Sequence, residues 1–218
     1  MKYTTLLFAL AINLGYAQVG NTYEEGAELQ TGTISNPFLR ASTNSTGEVE
    51  GSEFLNEEWE QATVIDLNIN KKVRLLARFN AYTKEIELLK EKSIIALIPA
   101  KGVSVMLGGK TFIPAKLKNS THPIFVEQLV AGPNGLYKYY DAKIVQAASD
   151  ATLLNLENKD KIVITEKLYY GDTDGIQKLP SKRKSMESIL APEILKAAKK
   201  EKLSFKKEAD LIRVFGMQ

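Results

Sequence analysis

The 218-residue chain contains no cysteine. Disulfides, thiolate metal sites and cysteine nucleophiles are therefore excluded. Histidine occurs once, at His122, so no site can use two imidazoles. That removes the common zinc sets, and no metal is expected. Surplus charge is small: 29 basic residues face 26 acidic ones, a net of +3. So small an excess does not by itself imply a polyanionic partner. Long apolar runs are missing too. Residues 6–14 (LLFALAINL) fall short of the roughly 20 residues of a spanning helix, so no transmembrane span is expected. No glycine-rich loop opens a helix after a strand, strands and helices do not alternate, and no unit repeats at a fixed period. A nucleotide-binding doubly wound fold, a solenoid and a propeller are disfavoured, and no cofactor is expected.

What is present begins with an address. Lys2 supplies a positive charge, residues 6–14 an apolar run, and Gly15-Tyr16-Ala17 small residues at −3 and −1 of a cleavage site. Together these predict a secretory signal peptide over residues 1–17, removed before Gln18. The chain is expected to be exported, to the periplasm or beyond the cell. Residues 18–50 are polar and read as a flexible or extended leader.

From Ala62 the apolar pattern has a period of two, the signature of half-buried strands. Ile65, Leu67 and Ile69 alternate with Val64, Asp66 and Asn68. Val73, Leu75, Ala77 and Phe79 share a face. Further strands are predicted at 85–89, 93–98, 103–107, 110–113, 124–131, 136–146 and 161–170. Gly108-Gly109, between two apolar runs, predicts a two-residue hairpin with positive φ at both positions. Short connections favour antiparallel neighbours. The expected fold is mainly β: an antiparallel meander or sandwich of about 8–9 strands over 51–175.

After Gly175 the period becomes helical. Two or three short helices are predicted over 176–218, with Ser181 or Ser185 capping the first, Pro192 in the first turn of the second and Ser204 capping a third. From Lys178 onward, 11 basic residues face 5 acidic ones, a net of +6. The small total charge hides this segregation.

Three stretches carry a resemblance: residues 51–58 (GSEFLNEE), residues 78–87 (RFNAYTKEIE) and the basic tail from Lys182-Arg183-Lys184. With these the chain resembles a group of uncharacterised, exported, β-rich proteins of Gram-negative bacteria. The resemblance implies export and an antiparallel domain with a helical appendage. It implies no activity and assigns no functional residue.

Catalytic constellations are sparse. His122 sits in a predicted loop, and no Gly-x-Ser-x-Gly elbow positions a serine. Asp172-Thr173-Asp174-Gly175 fits a strand-ending turn better than a calcium loop, whose first and last ligands would fall on Tyr170 and Ser181. Glu85 and Glu87 share a strand face, but Lys84 and Lys90 beside them predict a solvated surface. A non-enzymatic binding or scaffold protein of the envelope is the expected function. Its tail lysines and arginine, Lys182, Arg183, Lys184, Lys199 and Lys200, would contact an envelope protein or anionic lipid. Aromatic residues are too sparse among them to favour nucleic acid. A second reading is a carrier of an apolar ligand in the concavity of a curved sheet, lined by Leu76, Phe112, Phe125 and Tyr139. A third is a carboxylate-dependent polysaccharide hydrolase.

Overall fold

A computed structural model describes residues 49–146 and 159–218, with the backbone of three short strands nearer the N-terminus. Residues 1–17, the expected signal peptide, lie outside the described residues. Of those three strands, β1 (Glu28–Leu29) pairs only with β2 (Gly32–Thr33), while β3 (Leu39–Ala41) joins the main sheet. Nine longer strands follow: β4 (Glu60–Asp66), β5 (Lys71–Asn80), β6 (Glu85–Lys90), β7 (Ser93–Leu97), β8 (Val103–Leu107), β9 (Lys110–Lys116), β10 (Pro123–Val130), β11 (Gly135–Val145) and β12 (Lys161–Gly171). Last come β13 (Gln177–Lys178) and helices α1 (Arg183–Glu187), α2 (Pro192–Lys200) and α3 (Glu208–Phe215).

One antiparallel sheet of eleven strands results, in the order β13-β12-β11-β10-β9-β8-β4-β5-β6-β7-β3. It consists of two meanders sharing a seam. One runs from β4 to β7; the chain then returns to the free edge of β4 as β8 and meanders the other way. Among the described residues the structure is mainly β with helices confined to the C-terminal end, as expected. Gly108 and Gly109 take φ of 56° and 74°, and Leu107 pairs with Lys110 across them. This is the predicted hairpin.

The inner face of the curled sheet holds the main core. Val64, Val73, Ala77, Phe79, Leu88, Val105, Phe112, Phe125 and Tyr140 are all buried there. Phe79 and Phe112 stack with centroids 4.8 Å apart, and Tyr140 lies 5.8 Å from Phe79. Strand β4 departs from expectation. Its inward side is Ala62, Val64 and Asp66, while Leu67 is 69% exposed. Val64 pairs with Val73 on one side and Val105 on the other, and this alignment decides which face is buried. Asp66 turns inward because it ends the strand, its Oδ1 accepting the Asn68 N–H at 2.9 Å.

A second cluster joins the tail helices to the same inner face at the far end of β11 and β12. Leu136, Met186, Leu190, Ile194, Leu211, Val214 and Phe215 are buried together, with Leu168 and Tyr170 packed against them. A polar layer separates the two clusters. Buried Lys138 bonds Glu166 at 3.1 Å and Glu208 at 2.9 Å. Burial works to lower the Lys138 pKa, but the two carboxylates outweigh it and hold the ammonium charged. Beside it, the Tyr140 hydroxyl donates to Glu127, which also accepts from Lys110 at 3.1 Å. The tail is thus an appendage in sequence but part of the packed molecule in space.

The sheet also opens into two forks, where neighbouring strands stop pairing. The β10–β11 ladder ends at Glu127–Lys138. There the tip of the β5–β6 hairpin enters: Phe125 N–H donates to Lys84 C=O at 3.4 Å and Ala142 N–H to Ala81 C=O at 3.2 Å. Strand groups freed by the fork are satisfied by the chain itself. The second fork separates β8 from β9 beyond the Val105–Phe112 pair. The next hydrogen-bonded pair would be Val103 with Pro114, which has no N–H to offer.

Candidate functional site

The tail lysines acquire a definite geometry. Pro192 starts α2, where its missing N–H and fixed φ suit a first turn. Ile194 and Ala198 face the core and leave Leu195 half-buried and Lys199 outward. The helix ends where Leu203 N–H donates to Ala198 C=O at 2.9 Å, with Lys202 in the left-handed region at φ 55°. Lys207, not Ser204, is the N-cap of α3; the Ser204 hydroxyl accepts the Lys206 N–H at 3.2 Å, and the Ser204 N–H donates to the Asp210 carboxylate at 3.0 Å. That bond ties the 201–207 connection to the first turn of α3.

A groove of about 420 Å³ lies elsewhere on the molecule; the one formed here, between α1, α2 and the connection, measures about 340 Å³. Leu195, Leu203 and Phe205 give it an apolar floor, and Arg183, Lys199, Lys202 and Lys206 surround that floor. Among the described residues Glu187 is the single carboxylate in its lining, and it is engaged by Arg183 at 3.1 Å. Lys199, Lys202 and Lys206 form no ion pair among the described residues. Three uncompensated ammonium groups around an apolar floor suit an anionic group carried on an apolar body.

Of the expected contact residues, Arg183 and Lys199 line this groove; Lys182, Lys184 and Lys200 are exposed outside it. Lys202 and Lys206 were not singled out by sequence. They flank Leu203-Ser204-Phe205 four residues apart, a pattern that marks an apolar patch with a basic rim once the segment is folded back.

The residues expected to line a ligand concavity do not converge. Phe112 and Phe125 are core side chains of the inner face. Tyr139 lies on the outer face against Tyr169, centroids 5.5 Å apart, and Leu76 is on the outer face of β5. The side chains of the main core occupy the sheet's inner side instead.

Carboxylates were also misplaced by sequence. Glu87 is 1% exposed, not solvated. Arg78 contacts its Oε2 at 2.9 Å through both Nε and a terminal nitrogen, and Asn80 donates to Oε1 at 3.3 Å. The guanidinium is itself held over Phe54 at 3.5 Å and Trp59 at 4.4 Å. The stretches 51–58 and 78–87 that carry the resemblance are therefore one packed unit, tied also by Ala81 N–H to Glu53 C=O at 2.7 Å. Asp141 is similarly committed, with Lys84 at 3.5 Å, Lys143 at 3.6 Å and Lys167 closer still. Its burial opposes ionisation, but these three ammonium groups prevail and hold its pKa below the usual carboxylate value. Burial beside Asp141 and Tyr169 pushes the Tyr139 phenol up to about 12.

His122 is exposed in the β9–β10 turn. Among the described residues no three His, Asp or Glu side chains are grouped to hold a metal ion, and no helix is long and apolar enough to cross a membrane. No protein family, curated protein or solved structure matches this chain.

Proposed function

We propose that this is an exported, non-enzymatic binding protein of the cell envelope, which holds an anionic lipid headgroup in the basic groove of its tail. The observation that carries the reading is the groove itself: four cations and one engaged carboxylate around Leu195, Leu203 and Phe205. An anionic headgroup would meet the lysines while its glyceride end meets the apolar floor. The leader sequence and the resemblance to exported β-rich proteins support the envelope as the setting. Acid/base hydrolysis has less support, since the groove offers one carboxylate where a pair is needed.

Co-sedimentation with phosphatidylglycerol vesicles at low salt tests the groove. The protein should bind them and not phosphatidylcholine vesicles. Each lysine near such a surface contributes about 1 kcal/mol, so the pair Lys199→Gln and Lys202→Gln should weaken binding by roughly thirtyfold. The pair Lys182→Gln and Lys184→Gln, outside the groove, should cost much less. Equal losses from both pairs would point to a diffuse basic surface and sink the groove reading. The address has its own check. Protein recovered from the envelope should begin at Gln18 on N-terminal sequencing, and an intact Met1 would refute export by this leader.

A further inference from the structure

We propose that the open fork between β8 and β9 is a second binding site, for a small amphipathic carboxylate such as a medium-chain fatty acid. The proposal is independent of the tail groove. It starts from Pro114. Pairing of β8 with β9 stops after Val105–Phe112, and Val103 turns its N–H to Ala100 C=O at 3.1 Å instead. Beyond the split, β9 is held by a different partner. Lys116 N–H donates to Thr173 C=O at 2.7 Å, Ile176 N–H to Lys116 C=O at 2.8 Å, and Lys118 N–H to Ile176 C=O at 2.9 Å. The β12–β13 turn therefore closes the far end of the fork and leaves a cavity of about 420 Å³ between the two strands.

The cavity falls within the size range of small-ligand pockets, roughly 300–1,000 Å³. Leu67, Ile113, Pro114 and Pro123 give it an apolar wall, interrupted by the neutral polar Ser104, Thr111, Gln128 and Thr173. Leu67 is 69% exposed at the mouth. Two cations stand at the rim, Lys101 and Lys116, against one carboxylate, Asp174. Lys101 meets Asp174 at 3.7 Å, with both side chains largely in water, so that pair is weak and easily exchanged. Lys116 forms no ion pair among the described residues. Apolar walls with a basic rim select a molecule with an apolar body and one anionic end.

The companion fork shows why occupancy matters. There the hairpin tip fills the split between β10 and β11 and satisfies Phe125 and Ala142. The β8–β9 fork also comes from interrupted pairing, but the β12–β13 turn closes it only on the β9 side, and the cavity remains between that turn and β8.

Isothermal titration with decanoate and with decanol, on the full mature chain, tests this. Decanoate should bind saturably at this fork, about fivefold more tightly than decanol, the value of a solvent-exposed charge contact. In the double variant Lys101→Gln and Lys116→Gln that preference should vanish. Leu67→Glu, in an exposed turn, should weaken decanoate further by placing a carboxylate at the mouth. Amide shifts on titration should map to Ser104, Thr111, Ile113 and Thr173. Absence of saturable binding by the folded wild-type protein would overturn the proposal. So would shifts confined to the tail, or an unchanged decanoate affinity in Leu67→Glu.

Discussion

Replacing Phe79 by alanine should lower the free energy of unfolding by about 3–5 kcal/mol, the usual loss for deleting a buried ring. Phe79 is 2% exposed on the inner face of β5. Its ring stacks on Phe112 from β9 and tilts against Tyr140 from β11. Those strands belong to different meanders, so this ring spans the space that the curling sheet encloses. Its loss leaves a void that rigid strands on both sides cannot close by moving, which puts the cost at the upper end. Urea unfolding of the variant measures it. Leu76→Ala is the comparison. That residue sits three positions earlier on the same strand, half-buried on the outer face, and should cost about 1 kcal/mol or less. Equal losses would mean that the inner face is not the dominant core.

The contrast between Phe79 and Leu76 shows what periodicity can reveal. Val73, Leu75, Ala77 and Phe79 share a face because strand side chains alternate, and the same arithmetic separated Leu76 from them. Gly108-Gly109 was legible for a local reason too: its turn is decided by backbone freedom within two residues. Strand β4 was harder. Both of its faces carry aliphatic residues, and only pairing with Val73 and Val105 picks out Val64. Glu87 was hidden because its partner, Arg78, comes from the neighbouring strand and its aromatic cover from residues 54 and 59. The two forks depend on which strands become neighbours, so Pro114 reads as an ordinary strand residue until β8 is placed beside it. The tail groove had a partial signal in its charge. Its shape depends on the 201–207 connection, which an Asp210 carboxylate six residues downstream of Ser204 ties to α3.

Removal of the tail, by ending the chain at Lys178, should abolish cooperative folding of the β domain. A helical segment that follows a complete run of strands suggests dispensability, but the packing argues the reverse. Leu136 is fully buried only because Met186, Leu211 and Phe215 lie with it, and Tyr170 has its ring 6.5 Å from that of Phe215. Truncation would expose Leu136, Leu168 and Tyr170 together on β11 and β12. Each large apolar side chain returned to water costs about 1.5–3 kcal/mol. Leu136 loses that full amount and the partly buried Leu168 and Tyr170 a share of it, a large fraction of the roughly 5–15 kcal/mol that stabilises a whole domain. Lys138 would lose Glu208 and keep only the half-exposed Glu166, leaving a buried cation less compensated. Circular dichroism through a urea titration should show a broad, early transition for the truncated chain, with aggregation on concentration. Phe215→Asp in the full-length protein provides a check that does not depend on handling a fragment. It should lower the midpoint sharply, because a carboxylate would enter a cluster where Val214 is 0% exposed and Leu211 2%. A truncated chain with the urea midpoint of the intact protein, or a Phe215→Asp variant of unchanged stability, would show that the helices only rest on the sheet.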